Sequence, residues 1–298
     1  QGNEIWCQNF GYPGSDQARS VIETREGDLM VTGFFDVSAS DGQGNDDRSN
    51  SGSLHGVGEY WGIKLDADGQ FFWKRYFGGS DNDRSYNVLQ TNDGGFVLIG
   101  ASESDDFDIT DSRGSYDYWA VKLSAQGDLA WTRSFGGSEI DIAYDIATTL
   151  DGNFLIVGDA RSNDQDVSTN YGNADVWLIE IDPQGNLVWE KSLGGSMFDS
   201  AKDLLPMNDN LYCVTGSSRS NDVDVATNNG ENDAWTVVVD AQGAIIFEVS
   251  IGGSSLDFSE AAAQGVDGAL LVVGNTESSD GNIIQNLGYK DILIYKIN

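Results

Sequence analysis

The sequence has little cysteine and little positive charge. Its two cysteines, Cys7 and Cys213, stand apart from any Cys-x-x-Cys or Cys/His cluster, which excludes a disulfide-stapled small fold and a thiolate zinc site. Lys and Arg total 16 against 48 Asp and Glu, a formal net charge of −32. Nucleic acid needs a basic partner surface, so we predict no nucleic-acid partner. No apolar run approaches the roughly 18 residues of a membrane span, so we predict no membrane insertion.

Proline and helical periodicity are also scarce. There are three prolines and 37 glycines, and no segment keeps a 3.6-residue apolar period, so we expect almost no helix. The chain opens at Gln1 without a charged-then-apolar leader, and we therefore expect a mature or trimmed product. High acidity with few cysteines predicts an extracellular or cell-surface bacterial protein.

An internal repeat organises the whole chain. The tripeptide Gly-Gly-Ser recurs every 58 residues, ending at Ser80, Ser138, Ser196 and Ser254. The first copy carries nine extra residues between Asp36 and Gly58. The predicted repeats of one domain over 1–298 are approximately 10–76, 77–134, 135–192, 193–250, and 251–298 joined by 1–9.

Each repeat predicts four antiparallel strands, here called A to D. In the third copy they are expected near 143–148, 154–158, 176–181 and 187–191, separated by Asp-Gly and Asp-Pro-Gln-Gly turns. Five such units predict an all-β, five-bladed β-propeller. The fifth copy lacks strand D, and residues 1–6 match 184–189. We therefore predict that the N-terminal strand pairs beside Ile292–Ile297 and closes the ring.

All eight tryptophans fall in two repeat columns. Those of strand C are Trp61, Trp119, Trp177 and Trp235, and those of strand D are Trp6, Trp73, Trp131 and Trp189. Recurrence inside strands favours packing between sheets over a sugar- or base-stacking array.

One acidic column is unbroken in all five copies, at the start of strand A. It consists of Asp16, Asp83, Asp141, Asp199 and Asp257. If the strands converge on an axis, these carboxylates form a ring that could hold a cation or ligand. The alternative is that each accepts backbone N–H groups of the Gly-Gly-Ser turn.

The loops between strands B and C carry an Asp-x-Asp pattern. Its candidate metal ligands are Asp106, Asp108, Asp164, Asp166, Asp222 and Asp224. Alternating carboxylates can supply several oxygens to calcium, which makes Ca²⁺ a candidate cofactor although none is required. The spacing lacks the Glu of an EF-hand at position twelve, and solvated turn chemistry is the alternative.

Function is most readily sought where the repeat symmetry breaks. Three residues after the conserved Asp, the column of candidate ligand-binding residues reads Arg19, Tyr86, Tyr144, Lys202 and Glu260. The single histidine, His55, lies in the longer loop of the first copy, where a solvated role is expected. There is no Gly-x-Ser-x-Gly elbow, no His-Glu-x-x-His and no phosphate-binding loop.

The repeat, FGGSxxDxAxxIxxTxDGGF followed by SxDxDVxxNxGxxDxW, resembles that of secreted bacterial propeller proteins of the SBBP kind, over essentially the whole chain. The resemblance implies a propeller in an extracellular setting, in some cases with type IX secretion tails, and implies no reaction. The family name suggests seven blades, whereas this chain has five repeats. Its five-fold symmetry is similar in kind to tachylectin-type lectins.

Three functions compete at this point. The repetition favours a non-enzymatic module that binds a glycan or protein at the cell surface, since equivalent weak sites give avidity. A glycoside-acting enzyme is the alternative, with Glu260 and the Asp column as suspects, although such chemistry needs two carboxyl groups in unequal environments. A structural spacer of a larger surface assembly is the third.

Overall fold

The computed structural model describes residues 2–46 and 55–298, and it is all-β. The insertion of the first repeat therefore lies partly outside the described residues. The described helices are one turn, α1 (Val37–Ser40), and a 3-10 segment (Asn208–Asn210). No helix in the described part of the chain is long and apolar enough to cross a membrane.

The chain divides into two compact units, Gln1–Phe135 (unit 1) and Gly136–Asn298 (unit 2). This boundary coincides with the start of the third repeat. Unit 1 contains two four-stranded sheets. Their strands are β1 (Gln17–Glu23), β2 (Leu29–Phe35), β3 (Glu59–Leu65) and β4 (Phe71–Phe77), then β5 (Asp83–Gln90), β6 (Phe96–Ser102), β7 (Asp117–Leu123) and β8 (Leu129–Phe135).

Unit 2 contains two further four-stranded sheets and one of three strands. The four-stranded sheets are β9 (Asp141–Thr148), β10 (Phe154–Ala160), β11 (Asp175–Ile181) and β12 (Leu187–Leu193), then β13 (Asp199–Pro206), β14 (Tyr212–Ser218), β15 (Asp233–Val239) and β16 (Ile245–Ile251). The last sheet is β17 (Asp257–Gln264), β18 (Leu270–Thr276) and β19 (Asp291–Ile297). Every pairing within the five sheets is antiparallel between strands adjacent in sequence, the arrangement from which propeller blades are built.

Turn chemistry explains the even strand spacing. After β9, the Thr149 N–H donates to the Asn153 carbonyl oxygen at 2.9 Å, and Gly152 takes φ 83°. Glycine adopts this left-handed conformation without a steric penalty. The same reversal recurs with Gly94 and Gly268, so the predicted strand boundaries hold to within two residues.

The core lies between neighbouring sheets. Strands β6, β7, β10 and β11 are buried along their whole length, as expected for strands covered on both faces. The largest fully buried side chains are Trp119, Trp177 and Trp235 of the strand C column. The packing interpretation of that column is therefore confirmed.

The fifth sheet lacks the predicted fourth strand. Residues 2–16 contain no strand, and β19 has β18 as its single neighbour. Within residues 2–46 and 55–298, no strand pairs with the outer edge of β19, so the predicted closure stays a prediction. The outer edge of β19 is therefore unpaired among the described residues, and its Ile292 and Ile294 side chains are 78% and 66% exposed.

Trp6 nevertheless packs as its repeat column predicts. Its Nε1–H donates to the Ala67 carbonyl oxygen at 2.9 Å, in the turn between β3 and β4. Trp73 donates in the same way to the Ala125 carbonyl oxygen at 3.1 Å, in the turn between β7 and β8. Both contacts lie within unit 1, and they identify Trp6 as the structural counterpart of a strand D tryptophan.

Candidate functional site

The conserved Asp column caps turns. Asp141 Oδ2 accepts from the Gly137 N–H at 2.8 Å and from Ser162 Oγ–H at 2.7 Å, and its Oδ1 accepts from the Arg161 N–H at 3.0 Å. Asp83, Asp199 and Asp257 repeat the glycine and serine contacts. Asp16 is half-buried and accepts from the Tyr12 N–H at 2.7 Å. These are the contacts of the turn-capping alternative, and the ring of ligand-binding carboxylates stays a prediction.

The Asp-x-Asp loops also bind backbone. Asp164 Oδ1 accepts from the Ser138 N–H at 2.8 Å, and Asp166 Oδ2 accepts from the Gly136 N–H at 3.4 Å. The equivalent acceptors are Asp106, Asp108, Asp222 and Asp224. Over residues 2–46 and 55–298, no three His, Cys, Asp or Glu side chains come together as a metal-binding group. Calcium binding therefore has no assembled ligand set in these loops.

A second acidic column lies at the first residue of strand C. It is the Asp of the GxxDxW segment of the repeat, which the sequence analysis treated as part of the acidic loop pattern and gave no separate role. Asp175 Oδ1 and Asp199 Oδ2 face each other across Gly194, where a Cβ would lie 2.5 Å from one and 2.6 Å from the other. Both residues are fully buried, and Asp175 Oδ1 has no hydrogen-bond partner in the described part of the chain. Burial, with Asp199, Asp224 and Asp222 nearby, raises the pKa of Asp175 to about 7. Asp175 therefore holds a proton to a much higher pH than an ordinary aspartate.

The same arrangement occurs twice more. Asp233 and Asp257 flank Gly252, and burial raises the pKa of Asp233. In unit 1 the first partner is a glutamate: Glu59 Oε2 and Asp83 Oδ2 flank Gly78. Burial raises the pKa of Glu59 well above its usual range and that of Asp83 to about 6.

His55 belongs to the Glu59 pair, so the solvated role expected for it is wrong. It is 5% exposed, and its Nδ1 lies 3.5 Å from Glu59 Oε2. Its ring stacks on Phe107 with centroids 4.7 Å apart and meets Tyr76 edge-on at 5.1 Å. His55 is thus fixed between two aromatic rings and a carboxyl group, which favours a structural role for it.

The candidate ligand-binding column shares a backbone feature that sequence analysis did not anticipate: it coincides with a β-bulge in every strand A. The bulged residues are Arg19, Tyr86, Tyr144, Lys202 and Glu260. A bulge leaves one residue outside the ladder and re-aims its side chain. These five residues, here called the bulge row, therefore vary in side chain while the backbone around them stays the same.

In unit 2 the bulge row forms a charged cluster. The Lys202 ammonium lies 3.5 Å from the Tyr144 ring centroid, and Coulombic attraction links it to Asp159 and Glu260. Asp159 is buried, and its Oδ1 accepts from Ser200 Oγ–H at 2.7 Å. Glu260 is exposed, and its Oε1 accepts from Asn275 Nδ2–H at 3.1 Å.

Desolvation sets the proton affinities of this cluster. Burial raises the pKa of Asp159, against the lowering influence of Ser200, Lys202 and Arg161. Desolvation of the ammonium lowers the pKa of Lys202, against the raising influence of Asp159 and Glu260. A buried acid and an exposed carboxylate thus flank one lysine, which provides the unequal carboxyl environments that acid–base catalysis needs.

In unit 1 the bulge row is cationic and aromatic. Arg19 lies over the rings of Phe34 and Tyr86, and Arg84 lies over Phe34 from the neighbouring strand β5. Both clusters could have been located from a further variable column of the repeat, the sixth residue of strand B. It reads Phe34, Ala101, Asp159, Ser217 and Asn275.

Comparisons with known proteins give distant likenesses only. No family model and no curated protein match the chain. A protein of unknown function from Dyadobacter fermentans is 13% identical, with a TM-score of 0.49, 90% of this chain covered and 78% of that one. A putative gluconolactonase is 12% identical, with a TM-score of 0.42 and coverages of 86% and 70%. A thermostable family-43 glycoside hydrolase is 13% identical, with a TM-score of 0.40 and coverages of 96% and 91%.

The comparisons correct one expectation. The structures with a named activity are mostly enzymes, including the putative gluconolactonase and the glycoside hydrolase, which goes against the predicted non-enzymatic glycan- or protein-binding module. That prediction is withdrawn in favour of its enzymatic alternative. At 11–13% identity and TM-scores below 0.5, these likenesses carry no activity over to this chain.

Proposed function

We propose that the protein is a glycoside-acting hydrolase whose two carboxyl groups are Asp159 and Glu260 in unit 2. The observation that carries this proposal is the position of Lys202, which is attracted to one buried and one exposed carboxyl group. Glycoside hydrolysis uses such a pair, one carboxyl protonated to serve as general acid and one ionised to serve as base or nucleophile.

Each residue of the cluster has a distinct role in this proposal. Burial raises the pKa of Asp159, which suits it to donate a proton to the leaving oxygen. Ser200 orients that carboxyl through its 2.7 Å hydrogen bond. Asn275 holds the exposed Glu260, and Lys202 stabilises negative charge between the two. Tyr144, half-buried beneath the ammonium, fixes the lysine in place.

The test is a hydrolysis screen with a panel of polysaccharides and aryl glycosides. Asp159→Asn and Glu260→Gln are each expected to lower kcat by about 10²–10⁴-fold, the usual contribution of a general acid or base. Glu231→Gln is the matched control, because Glu231 is an exposed acid outside the cluster. Absence of hydrolysis across the panel, or equal activity in all three variants, would overturn the proposal.

We also propose that residues 1–9 supply the fourth strand of the fifth sheet, which makes the five sheets the blades of a closed propeller. Support comes from the match of residues 1–6 to 184–189, from the single neighbour of β19, and from the strand D-like contact of Trp6. The extracellular, cell-surface setting and the SBBP resemblance are likewise proposals that rest on the repeat sequence.

Deletion of residues 1–9 tests this closure. We expect the deletion to lower the Tm by several degrees, since about 1 kcal/mol corresponds to roughly 2–4 °C in a chain of this size. Trp6→Ala should reproduce part of the loss, because it removes the Ala67 contact alone. An unchanged Tm in the deletion variant, measured by calorimetry, would show that the segment completes no sheet.

A further inference from the structure

The cationic bulge row of unit 1 stands out in so acidic a chain. Arg19, at the bulge of β1, and Arg84, at the second position of β5, are both exposed. The Arg19 guanidinium carbon lies 5.5 Å from the Phe34 ring centroid, and that of Arg84 lies 5.1 Å from it. Arg19 also lies 5.6 Å from the centroid of the Tyr86 ring. Two positive charges are thus held on one aromatic platform.

These two guanidinium groups lack protein acceptors. Within residues 2–46 and 55–298, neither Arg19 nor Arg84 donates a side-chain hydrogen bond or comes within ion-pair distance of a carboxylate. Arg84 lowers the pKa of Glu103 through its charge, but Glu103 accepts its side-chain hydrogen bonds from Asn82 and Tyr116. With 48 acidic residues against 16 basic ones, two adjacent arginines with unused donors are a distinctive arrangement.

We infer that this cluster of Arg19, Phe34, Arg84 and Tyr86 binds a carboxylate carried on a sugar ring, that is, a uronate. A guanidinium presents paired N–H donors that match a carboxylate geometrically. Tyr86 is half-buried, so part of its ring remains open to the apolar face of a sugar. The strong negative charge of the rest of the chain makes an anion bind here rather than elsewhere.

This inference does not depend on catalysis in unit 2, because it concerns binding to residues of unit 1 alone. It deepens the proposed function in one respect: it names an acidic polysaccharide as the class of glycan. Failure of hydrolysis and failure of uronate binding are separate results, since the first is read from released sugar and the second from heat of binding.

The test is isothermal titration of the full chain with a galacturonate trisaccharide, and with a galactose trisaccharide as the neutral probe. We expect binding of the acidic probe only, and weaker binding as salt is raised. Arg19→Gln and Arg84→Gln should each raise the dissociation constant about tenfold or more, the usual effect of losing a hydrogen bond to a charged group. Arg84→Lys should recover part of the loss through charge without the paired donors.

Arg219→Gln is the control, because it removes one exposed positive charge from unit 2. The affinity of this variant for the acidic probe should equal that of the wild type. The Tm of every variant should stay within about 2 °C of the wild-type Tm, as for surface substitutions that alter no packing. No binding of the acidic probe, equal binding of the neutral probe, or an equal loss in Arg219→Gln would each overturn the inference.

Discussion

Raising the pH from about 4 to about 8 is expected to lower the Tm of the protein, and Asp175→Asn is expected to remove a large part of that loss. Asp175 has a pKa of about 7 in the folded protein against an ordinary value of 3.8. A carboxyl whose pKa is raised by folding binds more protons in the folded state. Its stabilising effect is therefore complete below pH 3.8 and is lost as the pH rises through about 7.

The physical cause is the approach of two buried carboxyl groups. When Asp175 ionises, its Oδ1 has no donor among the described residues and faces Asp199 Oδ2 across Gly194. Asp222 and Asp224 add further negative charge from the adjacent loop. Because one pKa unit corresponds to about 1.4 kcal/mol, the loss amounts to several kcal/mol. An asparagine at 175 can donate to Asp199 at every pH.

The measurement is Tm by calorimetry at a series of pH values. Asp151→Asn is the first control, since it removes one exposed charge and should leave the pH profile of the wild type unchanged. Asp182→Asn is the second, and it should behave oppositely, because hydrogen bonds from Asn186 and Gln184 lower the pKa of Asp182. The Asp182→Asn variant should therefore be less stable than the wild type at pH values above the ordinary aspartate pKa. If the Tm of Asp175→Asn and that of the wild type changed in parallel with pH, the raised pKa assigned to Asp175 would be contradicted.

Sequence reasoning predicted most of the strands because local chemistry determines them. Strand β10 was expected over 154–158 and spans Phe154–Ala160, since the turn glycines and the apolar run mark its ends. The fourth strand predicted for the fifth sheet is not seen among the described residues and stays a proposal. A repeat match shows which residues resemble a strand, but it does not establish which edge they pair with.

The candidate site was harder to predict, for a related reason. The bulge residues were selected as a variable column, and their ligand-binding role stays a prediction, while the bulge itself has no sequence signature here. Asp159 was missed, and Asp175 was noted only within the acidic loop pattern, because their partners, Ser200 and Asp199, lie in the following repeat. Such contacts depend on how one sheet packs on the next, and a single repeat contains no information about that packing. Column-by-column comparison of positions where the repeats differ would have found Asp159.

The second large effect is expected at the buried tryptophans of strand C. Trp177→Ala should cost about 3–5 kcal/mol, the range for truncating a fully buried aromatic side chain. Trp177 is completely buried, and its Nε1–H donates to Glu190 Oε2 at 2.8 Å. Truncation therefore leaves a cavity between sheets and also removes a charge-assisted hydrogen bond.

Comparison with Trp119 separates these two contributions. Trp119 is equally buried, but its Nε1 atom has no hydrogen-bond partner among the described residues. Trp119→Phe removes an unsatisfied polar group and should cost less than Trp177→Phe, which breaks the bond to Glu190. Urea unfolding of the three variants gives each free energy of unfolding directly. Equal costs for the two phenylalanine variants would mean that cavity formation alone sets the stability of this column, and that the glutamate partner adds nothing.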